Sequence, residues 1–288
     1  MTDGLDARHL GPEAIKRHLR RHGLSPNKRW SQNFLADGDV LDAIVAAAAP
    51  TPGRPVLEIG PGLGVLTGAL LSAGAMVSAV EVDPTMVAHL RDRFAGAVGS
   101  GGLRLVEGDV LDLGLEALVT RPWDLVANLP YHITSPVLHL VLGTEPRPER
   151  FVLMLQREVA ERVAAPPGAM SYLSVFVQYH ADVRIVRRVP RSAFEPVPKV
   201  DSAVLCGETR PRRLAAEAEE DLWRLVQAGF RERRKMLHNV LPRQLPEVGR
   251  DRFEAALDRC GITPDRRPQT LSVDEWLALA DAVGPLPS

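Results

Sequence analysis

The 288-residue chain is predicted to be an α/β protein, with a parallel sheet covered by helices on both faces and a small all-helical domain after it. Two observations support this prediction. Between residues 55 and 163, short apolar segments alternate with segments of helical periodicity, a pattern typical of parallel sheets. After residue 210, only helical patterns follow one another, without strands between them.

Each strand of the predicted sheet is a short apolar segment, and each is followed by a helical one. The predicted strands are PVLEIG, MVSAVEVD, LRLVEGD, DLVANLP and FVLMLQ. The predicted helices are DVLDAIVAAAA, GVLTGALLSAG, PTMVAHLRDRF, SPVLHLVL and REVAERVAA. Two further segments, DVRIVRRVP and VDSAVLCG, flank a Pro-rich bend and are predicted to form a strand pair that closes the sheet. The C-terminal helices are predicted over residues 222–241, 251–260 and 274–283.

The domain boundaries follow from these patterns. Residues 1–28 are predicted to be a basic arm that is loosely helical or disordered, residues 29–210 the α/β domain, and residues 211–288 a helical domain. The net charge is only −1, but positive charge is concentrated in this arm and in the segment FRERRKMLHNVL. Such a distribution is compatible with a nucleic-acid partner.

Composition excludes several classes of protein. Apolar residues make up 45% and charged residues 25% of the chain, as is usual for globular proteins. No apolar run is long enough to span a bilayer, and the N-terminal segment lacks the apolar core of a secretory signal. The only cysteines, Cys206 and Cys260, are far apart and fit neither a disulfide framework nor a metal site. We therefore expect a cytoplasmic monomer without a metal or a membrane partner.

A glycine-rich turn follows the first predicted strand. Gly60, Gly62 and Gly64 lie between PVLEI and a helix, where glycine permits a tight turn and a close approach of the backbone to a ligand. The last glycine of a G-x-G-x-x-G pattern is replaced by Val65. A glycine-rich turn that lies against a bound nucleoside is therefore favoured over a dinucleotide-binding site.

The next three predicted strands each end in a polar side chain. Glu81 is placed to accept hydrogen bonds from ribose hydroxyls, and Asp109 to accept one from an exocyclic adenine amine. Asn128 ends the fourth strand. Because ligands bind outside the carboxyl ends of the strands in open α/β sheets, these side chains predict one nucleoside site.

The tetrapeptide Asn128–Leu129–Pro130–Tyr131 is predicted to carry the chemistry. An adenine N6 amine is a poor nucleophile because its lone pair is delocalised into the ring. Acceptors for its hydrogens, the Asn128 side-chain oxygen and a carbonyl near Leu129, would favour a more tetrahedral nitrogen. Pro130 stiffens the turn, and Tyr131 offers a ring on which an extruded base stacks.

Motifs along most of the chain, about residues 28 to 280, resemble the ribosomal RNA adenine dimethyltransferases of the KsgA (RsmA) type. They include RWSQNFL, VLEIGPGLGVLT, EGDVLDL, NLPYHIT, AFEPVPKVDSAV, FRERRKMLHN and GITPDRRPQTLSVDEW. The resemblance implies a Rossmann-like methyltransferase sheet and the cofactor S-adenosylmethionine, released as S-adenosylhomocysteine. It also implies N6,N6-dimethylation of two adjacent adenosines in the 3′-terminal hairpin loop of 16S small-subunit rRNA, in the assembling subunit.

By this resemblance, Asn33 and Leu35 cover the methionine part of the cofactor, and Phe194 provides a second aromatic face opposite Tyr131. The cofactor residues are completed by Gly60, Gly62, Glu81, Asp109 and Asn128. Docking to rRNA is assigned to three side chains predicted to share a helix face: Arg231, Arg234 and Lys235. The sequence departs from the usual family pattern at Ser31, where glycine is usual, and at His132, where asparagine is usual.

Three other functions remain open at this point. The first is a large-subunit rRNA adenine N6-methyltransferase, which would share the NLPY turn. The second is an NAD-dependent dehydrogenase, which the glycine spacing disfavours. The third is a ribosome assembly or transcription factor that keeps the fold without catalysis, which the complete set of polar strand ends disfavours.

Overall fold

A computed structural model describes residues 5–27, 30 and 32–287. The chain divides into two compact units. The first comprises Met1–Ala160 and Asp182–Thr209, and the second Glu161–Ala181 and Arg210–Ser288. Lys28, Arg29 and Ser31 lie outside the described residues. Across the described ranges, no helix is both long and apolar enough to cross a membrane.

The first unit contains nine strands: β1 (Phe34–Leu35), β2 (Pro55–Ile59), β3 (Met76–Glu81), β4 (Leu103–Glu107), β5 (Asp124–Asn128), β6 (Arg150–Gln156), β7 (Ala181–Val189), β8 (Phe194–Glu195) and β9 (Ser202–Thr209), as counted over the described residues. Seven of them form one sheet in the order β4-β3-β2-β5-β6-β9-β7, and β1 and β8 form a two-stranded ribbon.

Helices surround the sheet and form the second unit. The first unit has α1 (Pro12–Arg21), α2 (Gly38–Ala48), α3 (Val65–Ser72), α4 (Pro84–Arg93), α5 (Ala95–Gly99), α6 (Leu115–Leu118) and α7 (Thr134–Gly143). Next comes α8 (Arg157–Val163), at the division between the units. The second unit has α9 (Tyr172–His180), α10 (Ala216–Arg231), α11 (Leu237–Gln244), α12 (Arg250–Arg259) and α13 (Val273–Val283).

The sheet confirms the predicted α/β class. Strands β2 to β6 pair in parallel, and Leu57, Leu125 and Leu153 in their centre are fully buried. The predicted strand pair closes the sheet, since β9 runs antiparallel to β6 and β7 lies at the edge beyond it. Buried on both faces, the central strands need continuous apolar sequences.

Local signals set the starts of several helices. Asp37 accepts a hydrogen bond from the Val40 N–H at 3.0 Å and caps α2. Pro84 occupies the first turn of α4, where it has no hydrogen bond to lose, and Asp83 caps this helix. Gly64 precedes α3 with a φ of 74°. A Cβ at this position would lie 2.5 Å from Cε2 of Phe94, so both the conformation and the packing require glycine.

The N-terminal segment differs from the predicted disordered or loosely helical arm. Residues 12–21 form the regular helix α1, and its Ile15 and Leu19 side chains lie in the same core as Phe34 and Leu35. Helical periodicity explains why this segment is ordered. The apolar residues of α1 share one face of the helix, and this face is buried in the first unit.

The second unit has its own core, in which Phe253, Leu257 and Trp276 are fully buried. Gly229 of α10 allows close packing, since a Cβ there would lie 2.6 Å from the Trp276 ring. The predicted boundary near residue 210 leaves out one segment of this unit. Val175 and Tyr179 of α9, which precede that boundary, belong to the second core.

The prediction of one helix over residues 222–241 is wrong. Helix α10 ends at Arg231, and α11 begins at Leu237, whose N–H donates to the Arg266 carbonyl at 2.8 Å. A continuous helix of this length would extend about 30 Å. The break instead lets Leu225 and Leu241 reach one core.

Candidate functional site

A cleft opens in the first unit at the carboxyl ends of β2, β3, β4 and β5, and it encloses about 1160 Å³ including its open mouth. Every residue that the sequence predicted for the cofactor or the target base lines this cleft. These residues are Asn33, Leu35, Gly60, Gly62, Glu81, Asp109, Asn128, Leu129, Pro130, Tyr131 and Phe194. The fold therefore brings together motifs from distant parts of the chain.

The glycine turn after β2 lines the cleft. Gly60 and Gly62 have φ values of 69° and 55°, which favour glycine. A Cβ on Gly60 would lie 3.4 Å from Cδ of Pro130, and one on Gly62 would lie 3.1 Å from Cε1 of Phe34. The turn thus lies close to both the NLPY segment and the QNFL segment.

Glu81 holds this turn in place. One of its carboxylate oxygens accepts the Gly62 N–H at 3.0 Å, and the other accepts the N–H groups of Val82 and Asp83, also at 3.0 Å. Burial raises the pKa of the carboxyl above its usual value, although these hydrogen bonds oppose the shift. Because an ionised carboxylate has about four acceptor positions, Glu81 retains capacity for a ligand.

Gln32 is a structural link that the sequence reasoning missed. Its amide nitrogen donates to Asp83 at 2.9 Å, and its amide oxygen accepts the Asn27 N–H at 2.8 Å. It thereby joins the segment before β1 to the residue that caps α4, and it lines the cleft. Its place in the SQNFL motif, directly before the predicted Asn33, was the available signal.

The NLPY segment forms a tight turn at the end of β5. The Leu129 N–H donates to the Met154 carbonyl at 3.2 Å, and the Ile133 N–H donates to the Pro130 carbonyl at 3.2 Å. The Asn128 side chain makes no hydrogen bond with any part of the chain that the structure describes. Its amide oxygen is therefore available to a ligand in the cleft.

Two aromatic residues of the cleft are positioned differently. The Tyr131 hydroxyl lies 2.8 Å from Oγ of Ser202, which fixes the half-buried ring at the start of β9. Burial raises the pKa of the Tyr131 hydroxyl, so the neutral phenol is maintained. Phe194 is almost fully buried and is held in the ribbon, where it pairs with Leu35.

The two acidic residues near the strand ends differ in burial. Asp109 is exposed, and one of its oxygens accepts the Leu111 N–H at 3.0 Å. Glu58 of β2, which the sequence reasoning did not assign to the site, is buried and lines the cleft. It accepts a hydrogen bond from Thr67 at 2.6 Å, and burial raises its pKa to about 8. An acidic residue within the apolar strand VLEI was the signal.

The predicted shared helix face of Arg231, Arg234 and Lys235 is wrong. Arg231 is the last residue of α10, whereas Arg234 and Lys235 lie in the turn before α11. The turn is closed by a hydrogen bond from the Lys235 N–H to the Glu232 carbonyl at 2.8 Å. All three side chains are nevertheless exposed.

Comparison with known proteins identifies one family. The family model described as Ribosomal RNA adenine dimethylase matches residues 23–283, which extends slightly beyond the range of the sequence resemblance. A Ribosomal RNA small subunit methyltransferase A from Anaeromyxobacter dehalogenans is 44% identical over 298 aligned residues, covering 99% of this chain and 100% of the relative.

Two solved structures are also similar. The dimethyladenosine transferase from Plasmodium falciparum has a TM-score of 0.73 and 27% identity, over 85% of this chain and 95% of that one. The 23S rRNA methyltransferase ErmE has a TM-score of 0.70 and 31% identity, over 87% of this chain and 99% of that one.

Proposed function

Because the chain belongs to the family of ribosomal RNA adenine dimethylases, and is therefore an S-adenosylmethionine-dependent rRNA adenine methyltransferase, we propose that it acts on small-subunit rRNA. The proposed reaction is N6,N6-dimethylation of two adjacent adenosines in the 3′-terminal hairpin loop of 16S rRNA. The observation that carries the proposal is that Asn128, Tyr131 and the glycine turn held by Glu81 line the same cleft.

The residues of the cleft fit S-adenosylmethionine. Gly60 and Gly62 leave room for the backbone to approach a ligand, and Glu81 has acceptor capacity for ribose hydroxyls. In the proposed assignment, Asp109 receives the adenine amine, and Asn33 and Leu35 cover the methionine part. When bound, this cofactor supplies an electrophilic methyl group on its sulfonium.

The chain's own groups position and activate the target amine. The Asn128 side-chain oxygen and the Leu129 carbonyl accept hydrogen bonds from the two N6 hydrogens, which withdraws the nitrogen lone pair from conjugation with the ring. Tyr131 and Phe194 contact the faces of the extruded base, and Ser202 fixes the Tyr131 ring. Orientation within the cleft supplies the rest of the rate enhancement, since both reactants are held together.

The proposal is tested by tritium transfer from labelled S-adenosylmethionine to unmethylated small ribosomal subunits, followed by nucleoside analysis. We expect the label as N6,N6-dimethyladenosine in small-subunit rRNA, and no label with the Asn128→Ala variant. Absence of label with the wild-type protein, while it still binds the cofactor, would refute this substrate.

A second candidate substrate is large-subunit rRNA. Its support is the similarity to ErmE, which extends over 99% of that chain. The higher identity to a relative named for the small subunit favours the first candidate. Parallel assays with unmethylated large-subunit rRNA and with small subunits separate the two, because only the true substrate gains dimethyladenosine.

The second unit is proposed to dock the protein on the assembling small subunit in the cytoplasm, where it acts as a monomer. Arg231, Arg234 and Lys235 are exposed cations that would contact phosphates. Replacing all three with glutamine should weaken binding to the particle and flatten its salt dependence. Arg259→Gln on α12 serves as the control, and an unaltered salt slope in the triple variant would exclude this docking site.

A further inference from the structure

Helix α1 presents a basic face to solvent. Arg17, Arg20 and Arg21 are exposed, and they follow one another at the spacing of neighbours on one side of a helix. Their side chains make no hydrogen bond or ion pair with the part of the chain that the structure describes. The nearby acid, Glu13, is already paired with Lys16 at 2.9 Å.

The opposite face of α1 is anchored in the first unit. Ile15 is fully buried and Leu19 nearly so, in the core shared with Phe34 and Phe194. His18 is buried as well, and its Nε2 lies 3.0 Å from Nε2 of His89 on α4. The basic face therefore has a fixed position relative to the first unit.

Helix α1 lies next to Phe194, one of the two aromatic residues proposed to contact the target base. Helix α1 packs against β8, the two-residue strand formed by Phe194 and Glu195. Nζ of Lys16 lies 3.9 Å from a carboxylate oxygen of Glu195. An RNA strand whose base reaches the cleft beside Phe194 would thus run its phosphates close to α1.

We propose that α1 is an RNA-binding helix, in which Arg17, Arg20 and Arg21 bind phosphates of the rRNA strand that flanks the target adenosines. This inference rests on the proposed function. Its support is the charge complementarity between these arginines and RNA phosphates. Because the net charge of the chain is −1, a general excess of basic residues does not explain why these cations lie on one helix face. Phosphate contacts of this kind position a substrate without reading its bases.

The test compares two charge-matched variants. Arg17→Gln/Arg20→Gln removes two cations from α1, and glutamine retains helix propensity. Arg104→Gln/Arg121→Gln removes two exposed arginines near the amino ends of β4 and β5. The cleft lies at the opposite, carboxyl ends of these strands. The dissociation constant for unmethylated small subunits is measured for each protein at several salt concentrations.

We expect the slope of log affinity against log salt to be shallower by about 1.4 to 1.8 in the first variant, at roughly 0.7 to 0.9 for each phosphate that is no longer neutralised. An increase in salt from about 50 to 200 mM lowers the affinity of both proteins for the particle. The factor by which the affinity falls should be roughly ten times smaller for this variant than for the wild type. The control variant should keep the wild-type slope. An unchanged slope in the α1 variant would overturn the inference.

Two further measurements separate the possible failures. Arg17→Lys/Arg20→Lys keeps the charge and should retain the wild-type slope; loss of binding in this variant would overturn the electrostatic explanation. The S-adenosylmethionine dissociation constant, expected to be unchanged in all variants, reports an intact cleft. If the wild-type protein methylates the particle and the α1 variant has the wild-type salt slope, only the proposed role of α1 is refuted. Wild-type protein that does not methylate the particle refutes the proposed function.

Discussion

Glu81 accepts the backbone N–H of Gly62 at 3.0 Å and thereby joins the end of β3 to the glycine turn after β2. Its second oxygen accepts the N–H groups of Val82 and Asp83. The carboxylate therefore fixes the glycine turn, which lines the cleft. Glu81 therefore has a structural role in addition to its proposed contact with a ribose.

Removing the Glu81 carboxylate should weaken cofactor binding. We expect Glu81→Ala to raise the S-adenosylmethionine dissociation constant by the equivalent of about 1 to 3 kcal/mol, because a charged acceptor is removed. Since the Gly62 N–H also loses its partner, the melting temperature should fall. Calorimetric titration and thermal unfolding measure the two effects. Asp109→Ala is the comparison for thermal unfolding, because it leaves the glycine turn intact. An unchanged S-adenosylmethionine dissociation constant in Glu81→Ala would assign the carboxylate a structural role alone.

Asn128→Ala should abolish methyl transfer, whereas cofactor binding should only be weakened. The side-chain oxygen is proposed to accept an N6 hydrogen, and loss of a group that stabilises a transition state typically costs about 100-fold or more in rate. Single-turnover kinetics with small subunits measure the step directly. Asn239→Ala, an exposed site on α11, serves as the control. Full activity of Asn128→Ala would contradict this account of N6 activation.

The ring and the hydroxyl of Tyr131 should contribute differently. Tyr131→Ala removes the stacking surface and should cost about 1 to 3 kcal/mol in substrate binding. Tyr131→Phe keeps the ring and removes only the hydrogen bond with Ser202, so a smaller rise in KM is expected. Ser202→Ala should reproduce the Tyr131→Phe effect. Equal losses in Tyr131→Phe and Tyr131→Ala would show that the hydroxyl, rather than stacking, dominates.

Gly64→Ala should destabilise the first unit more than Gly53→Ala. Both glycines have similar positive φ values, 74° and 76°, so the backbone strain is matched. A Cβ at Gly64 would also meet the Phe94 and Leu90 side chains at 2.5 and 2.7 Å, whereas Gly53 has open space. Strain alone costs about 1 to 2 kcal/mol. Denaturant unfolding should show an additional loss for Gly64→Ala, and equal losses would mean that the neighbouring side chains move aside.

Glu58 should make stability fall as the pH rises. Burial raises its pKa to about 8, from 4.5 in an unperturbed glutamate, so the folded state binds the proton more tightly than the unfolded state. The stabilisation is complete below pH 4.5 and is lost as the pH rises through about 8. Each tenfold difference in proton affinity between the folded and unfolded states corresponds to about 1.4 kcal/mol, so the free energy of unfolding should fall by an amount of the order of a few kcal/mol.

Glu58→Gln tests this pH dependence, because glutamine does not titrate. Denaturant unfolding between pH 5 and 9 should give a flatter stability curve for the variant than for the wild type, with the largest relative gain at the alkaline end. Parallel curves for the two proteins would show that Glu58 ionises without a penalty in the folded state.

Much of the first unit could be predicted from local patterns. Buried parallel strands require continuous apolar segments, and PVLEI and FVLMLQ show them directly. Glycine spacing and polar strand ends located the cleft, because parallel strands place their carboxyl ends at one edge. The ribbon of β1 and β8 had no such signal, since each strand has only two residues.

The sequence by itself determined the fold class, the family and much of the cleft, because each depends on motifs carried by residues that are neighbours in the chain. It did not mark Gln32 or Glu58 as cleft residues. Only the tertiary structure decided which distant segments meet. It paired Leu35 with Phe194, ordered α1 through burial of Ile15, and separated Arg231 from Lys235 by ending α10 between them. The physical reason is that burial in a shared core stabilises contacts between residues far apart in the chain, and helix periodicity alone does not reveal where a helix must break to reach that core.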